Sequence, residues 1–123
     1  MPTSIRPARL RRSLLITPGN RTERIAKAAS LPADGIVMDI EDGVAPGDKA
    51  AARKAIAEAL ATLDFGHRER SVRINAVGTP EHMQDLAALD LAPIDSLFVP
   101  KVEAAEQVRA LAARLDAAEA RAH

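Results

Sequence analysis

Cysteine, tryptophan and tyrosine are absent from this 123-residue chain, and phenylalanine occurs only twice. Without cysteine there is no disulfide, no thiolate nucleophile and no thiolate metal site; the redox compartment stays open, with the cytosol as default. Two aromatic rings give bases almost nothing to stack on. An excess of either charge is missing as well: seventeen basic residues balance seventeen acidic ones, so nucleic acid is not an expected partner. No apolar run approaches the ~20 residues of a membrane-spanning helix, so no membrane partner is expected either. The amino terminus lacks the apolar stretch of a secretory signal, because prolines interrupt a segment carrying Arg6, Arg9, Arg11 and Arg12. Residues 1–12 therefore read as a disordered arm ahead of a domain at 13–123. A mitochondrial presequence stub, and with it the matrix, is the minor alternative to the cytoplasm.

What remains is an ordinary globular composition, 47% hydrophobic and 28% charged, long enough for one domain with its own core. The pattern reads βαβαβαβα. Strands are expected at 13–17, 35–40, 71–75 and 96–99. Asn20 is placed to cap a first helix running to about Ser30, with Glu23 as its capping-box partner, and Asp48 to cap a second helix to about Leu63. On that second helix Ile56, Leu60 and Leu63 form the apolar side, leaving Lys49, Arg53, Lys54 and Glu58 for solvent. Thr79-Pro80-Glu81 opens a third helix with proline at its first position. Val108, Leu111 and Leu115 stripe the last one.

Strand ends carry the chemistry. Side chains alternate across a strand, which sets Asp39 and Glu41 on one face and Met38 and Ile40 on the other. Arg73 and Asn75 likewise oppose Val72 and Ile74, Lys101 closes the fourth strand, and Phe98 is assigned to the apolar face. Carboxylates, a guanidinium and an ammonium at the carboxyl ends of parallel strands make an anion-binding site of the kind found at a barrel mouth. An open doubly wound sheet also fits the element order, but its central strands should be apolar on both faces. The charged face favours an α/β fold built as the N-terminal half, four βα units, of a TIM (β/α)8 barrel.

Four segments occur in a telling order: Ser13-Leu14-Leu15-Ile16-Thr17-Pro18-Gly19-Asn20, Met38-Asp39-Ile40-Glu41-Asp42-Gly43-Val44-Ala45-Pro46, Val72-Arg73-Ile74-Asn75 and Val99-Pro100-Lys101-Val102-Glu103. Together they resemble the N-terminal half of the citrate lyase β-subunit-like family, within the HpcH/HpaI aldolase group. The likeness is nearest to citramalyl-CoA and malyl-CoA lyases, whose arginine strand follows a lead-in similar to Leu63-Asp64-Phe65-Gly66. The resemblance implies a Mg²⁺-dependent carbon–carbon lyase that cleaves a 3-hydroxyacyl-CoA thioester to acetyl-CoA and a 2-oxo acid. It also implies a homo-oligomer, trimer or hexamer, when complete.

Carried over residue by residue, the resemblance makes Arg73 the substrate arginine and Glu41 and Asp42 the acidic motif near the metal, in its outer shell rather than as ligands. It places Lys27 and Ile16 near the CoA moiety, although Glu23 stands where the family has another basic residue; Arg21 and Arg24 are the candidates to replace that charge. Lys101 is expected either to neutralise an anion or to pair with Asp39. Each has a structural alternative: a salt bridge to Glu41 or Asp42 for Arg73, loop capping for Glu41 and Asp42, a solvated helix face for Lys27, a core position for Ile16. His67, His82 and His123 lack partners at metal-ligand spacing and read as surface. The family's metal-binding acids follow strands five and six, so this chain is expected to hold no metal ligand itself and to be inactive alone. The competing reading is a non-catalytic half-barrel or open α/β module that binds a carboxylate or CoA ligand or serves in assembly. A class II aldolase acting on free 2-oxo acids fits the motifs less well.

Overall fold

Four strands, β1 (Leu14–Pro18), β2 (Gly35–Asp39), β3 (Glu69–Arg73) and β4 (Ser96–Phe98), alternate with four helices in the computed structural model, which describes residues 9–122. The helices are α1 (Thr22–Ala28), α2 (Lys49–Thr62), α3 (Pro80–Ala88) and α4 (Ala105–Ala122), and a single 3-10 turn, Pro46–Asp48, leads into α2. None of these helices is long and apolar enough to cross a membrane.

Local chemistry explains most of the boundaries. Thr79 accepts a hydrogen bond from the His82 N–H at 3.2 Å, and Pro80 occupies the first turn of α3, where its missing N–H costs nothing. Alanine, the best helix former, fills α2. Asn20, by contrast, does not cap α1. The Arg21 N–H bonds back to the Pro18 carbonyl at 3.2 Å, a turn that delays the helix by one residue and leaves Arg21 at the cap. Glu23 accordingly takes the Arg21 Nε, at 3.0 Å, instead of a capping-box contact. Asp48 stands at the cap of α2 without a side-chain bond, because the 3-10 turn runs directly into the helix.

The sheet is fully parallel in the order β1-β2-β3-β4. Consecutive neighbours joined by right-handed crossovers leave every helix on the same side, which is barrel winding rather than double winding. One apolar layer results: Ile36, Met38, Ile40, Val72 and Ile74 pack with Ile25, Ala28, Ala52, Ile56, Ala59 and Leu111, with Leu15, Leu97 and Val99 at its margin. The other face carries Leu14, Ile16 and Pro18 beside Gly35, Val37 and Asp39, then Glu69, Ser71 and Arg73, then Ser96 and Phe98. This register moves Phe98 from its expected apolar layer to the polar face, next to Arg73. In α2, Lys49 and Arg53 are buried rather than solvated, each drawn inward by hydrogen-bonding groups. Among the described side chains of α4 only Leu111 is buried; Leu115 is at the margin and Val108 is exposed.

At the amino ends of the strands the arm is tied down instead of disordered, at least from Arg9 onward; residues 1–8 lie outside the described residues. Arg9 reaches Asp95 at 3.0 Å, Arg11 forks onto the buried Glu69 at 3.0 Å, and Arg12 forks onto Asp34 at 3.0 Å. Glu69 lies on the polar face, so Arg11 covers the floor of that face. The Arg12 hydrogen bonds outweigh burial and hold the Asp34 carboxyl down to about 2, from an ordinary 3.8. A depressed carboxylate adds stability above its unfolded value and loses it as pH falls through the folded one. Arg12→Gln is therefore expected to return the Asp34 midpoint, read by carboxyl ¹³C NMR, towards 3.8 and to start acid unfolding at higher pH.

Candidate functional site

β2 ends in a buried carboxylate that organises everything around it. Asp39 accepts Arg73 Nε at 2.8 Å and Nη2 at 2.7 Å across the β2–β3 pair. The same carboxylate accepts the N–H of Glu41 and of Gly43, both at 2.8 Å, and so folds the chain after β2 into a tight Asx-type loop. Gly43 has to be glycine for this: a Cβ there would lie 2.6 Å from Asp39 Oδ2. Behind the loop, Gly19 donates to the Asp39 carbonyl at 2.8 Å, and a Cβ on it would sit 2.6 Å from that oxygen and from Ile56 Cδ1. Burial alone would raise the Asp39 pKa, but Arg73 and the two amides win and lower it.

Above this pair sit Glu41, Asp42 and Lys101. Lys101 Nζ bonds Glu41 Oε2 and lies 3.2 Å from Asp42 Oδ1, while Glu41 Oε1 is 3.6 Å from Arg73 Nε. Lys101 gets there by a turn and not by strand alternation. β4 stops at Phe98, and Lys101 adopts φ 54°, a left-handed conformation uncommon for a residue with a side chain. The contacts with Glu41 and Asp42 raise the Lys101 pKa, and the bond from Lys101 lowers the Asp42 pKa. Glu41, Asp42, Arg73, Phe98, Val99, Pro100 and Lys101 line a cleft of about 380 Å³.

The chemistry of this cleft is that of a primed cation. A guanidinium offers five N–H donors on two forked edges. Asp39 occupies the Nε/Nη2 edge, and among the described residues Nη1 has no hydrogen-bond partner. A second fork on the half-buried Arg73 therefore remains for a planar carboxylate, held in orientation by Asp39. No group of three or more acid or histidine side chains able to hold a metal ion occurs among the described residues. Glu41 and Asp42 both pair with Lys101.

Several expected residues are elsewhere. Asn75 lies beyond the end of β3 and turns to the helix layer, where its amide and side chain donate to Asp85 Oδ2 at 2.7 and 2.8 Å. Lys101 pairs with Glu41 and Asp42 and not with Asp39. Ile16 is not core: it is 52% exposed on the polar face of edge strand β1, one pair below Pro18 and Asp39. Lys27, Arg21 and Arg24 are exposed along α1. His82, expected at the surface, is fully buried with Nδ1 3.0 Å from the Asn75 carbonyl; His67 is exposed, and His123 lies outside the described residues. Sequence reading misses Asp85, Arg53 and Lys49. The last two share a helix face with Ala52 and Ile56, and polar residues on an otherwise buried face are the available signal.

Residues 12–122 match the HpcH/HpaI aldolase/citrate lyase family. Over 111 residues the chain is 40% identical to the citrate lyase β subunit of Leuconostoc mesenteroides subsp. cremoris, covering 90% of this chain and 37% of that one. It is 43% identical over 117 residues to the L-malyl-CoA/β-methylmalyl-CoA lyase of Rhodobacter capsulatus, covering 93% and 37%. Among solved structures, the citrate lyase β subunit of Mycobacterium tuberculosis with oxaloacetate and magnesium superposes with a TM-score of 0.66 at 44% identity. That match covers 80% of this chain and 42% of the solved one. The chain thus spans well under half the length of the relatives it matches.

Proposed function

The chain belongs to the HpcH/HpaI aldolase/citrate lyase family, and on that premise we propose that it supplies the carboxylate-gripping half of a CoA-thioester lyase site. The reaction proposed is cleavage of a 3-hydroxyacyl-CoA of the citramalyl, malyl or citryl type to acetyl-CoA and a 2-oxo acid. What carries this reading is Arg73, which lines the cleft and is anchored through one edge by Asp39, leaving Nη1 without a partner among the described residues. The carboxylate of the 2-oxo acid is the ligand that fork suits. A relative bound to oxaloacetate and magnesium, and another complex bound to magnesium, acetoacetate and coenzyme A, support the substrate class.

Magnesium enters the proposal as the family's ion, which stabilises negative charge on the oxygen of an enolate or keto acid. The described residues provide no direct ligand set, so Glu41 and Asp42 serve in this reading as acceptors around the ion, not as ligands. Lys101 holds those two acids in one place and brings a positive charge to the same mouth. Ile16, exposed on the polar face, and Lys27, exposed on α1, remain the proposed contacts for CoA. Turnover is assigned to a polypeptide of the relatives' full length, and oligomeric assembly to that length as well.

The deciding experiment incubates such a full-length protein with malyl-CoA, citramalyl-CoA and citryl-CoA, with and without Mg²⁺, and follows the products. Acetyl-CoA together with a 2-oxo acid is expected from at least one, and only with the ion. A (3S)-malyl-CoA thioesterase of Cereibacter sphaeroides is 41% identical over 102 residues, so free CoA with malate is the informative alternative product. Finding that product, or none, ends the lyase reading.

A further inference from the structure

We infer that Lys49 is a positioning residue: its buried ammonium fixes the backbone that aims Glu41 and Asp42 into the cleft. Lys49 is only 9% exposed, yet no carboxylate pairs with it among the described residues. Its Nζ instead donates to two consecutive carbonyls, Ile40 O at 2.6 Å and Glu41 O at 2.9 Å. A buried charge without a counter-ion is unfavourable unless its hydrogen bonds do something that an apolar residue could not.

Here they complete a two-sided grip. From the strand side, Asp39 holds the N–H groups of Glu41 and Gly43. From the helix side, Lys49 holds the carbonyls, and Asn75 Nδ2 adds a donor to Ile40 O at 3.3 Å. Asn75 is itself fixed by Asp85, whose other oxygen takes Arg53 Nε at 2.7 Å. With carbonyls pulled towards α2 and amides pulled towards Asp39, the peptide planes around Glu41 have one orientation. That orientation sends the Glu41 side chain to Arg73 and Lys101. Lys49 comes from the first turn of α2, so the helix start is coupled to the acid loop through a single side chain.

The inference rests on Glu41 and Asp42 being site residues, but its test does not depend on turnover. In the 123-residue chain, amide hydrogen exchange is read by ¹⁵N NMR at Glu41 and Gly43, with Val37 and Val72 as core reporters. Lys49→Met keeps the aliphatic stem and removes the donors. It is expected to speed exchange at Glu41 and Gly43 by about tenfold or more and to leave Val37 and Val72 within about threefold. Lys49→Arg, which restores a cationic donor, is expected to bring both loop amides most of the way back. Equal acceleration at all four amides, or none at the loop, or no rescue by arginine, overturns the inference. If Lys49→Met does not fold, Lys49→Gln takes its place under the same criteria. A full-length protein that cleaves no thioester would defeat the proposed function and leave this exchange pattern standing.

Discussion

Asp39→Asn is expected to lower the unfolding free energy by about 3 kcal/mol, read from urea transitions followed by far-UV circular dichroism. The substitution removes a buried charge from a centre that satisfies four donors at once: two from Arg73 and the amides of Glu41 and Gly43. Asparagine keeps the shape but presents an NH2 where a donor already points, and leaves the guanidinium without its counter-ion. Breaking one partner of a buried pair costs about 3–5 kcal/mol. The lower end applies because the Arg73 side chain is 27% exposed and regains water. The sign of the pH dependence follows from the direction of the Asp39 shift. Its pKa is lowered in the fold, so the carboxylate contributes fully above the ordinary value of 3.8 and loses its contribution as pH falls through the folded one. The gap between parent and variant should therefore close in acid. A variant as stable as the parent at neutral pH would show that Asp39 is not the hub described.

The fold is legible in the sequence because two periodicities are clean. Met38/Ile40 against Asp39/Glu41, and Val72/Ile74 against Arg73, alternate as strands do, and the barrel reading follows from charge on a single face. Alternation fails where the strands stop. Counting back from Lys101 puts Phe98 in the core, but β4 ends at Phe98 and Lys101 itself is left-handed, so strand alternation does not extend between them. Asn75 fails for the same reason: β3 ends at Arg73, and beyond that point a side chain goes where its hydrogen-bond partner is, here Asp85. Composition sends the polar residues of α2 to solvent, although Lys49 and Arg53 occupy the buried face. Local patterns carry no information about a partner thirty-two residues away, as Asp85 is from Arg53. The arginines at 9, 11 and 12 look like an arm because their acceptors, Asp95, Glu69 and Asp34, are distributed over three later segments.

Arg73→Lys should separate binding from folding more sharply than any other single change. A lysine ammonium can still reach one Asp39 oxygen, so the fold is weakened less than by Asp39→Asn. It cannot hold Asp39 and a second carboxylate each through a planar fork, because it is a point charge without edges. On the ligand side, the missing fork is a charge-assisted pair worth about 1.5–3 kcal/mol. In the full-length protein, KM for the 2-oxo acid in the condensation direction is thus expected to rise by about tenfold to a hundredfold. KM for acetyl-CoA should stay near the parent value, since the proposed CoA contacts, Ile16 and Lys27, lie on β1 and α1. If both KM values rise together, Arg73 supports the whole mouth and does not hold one ligand. If neither moves, the free edge of the guanidinium faces solvent to no purpose, and the carboxylate must be held by a residue outside this cleft.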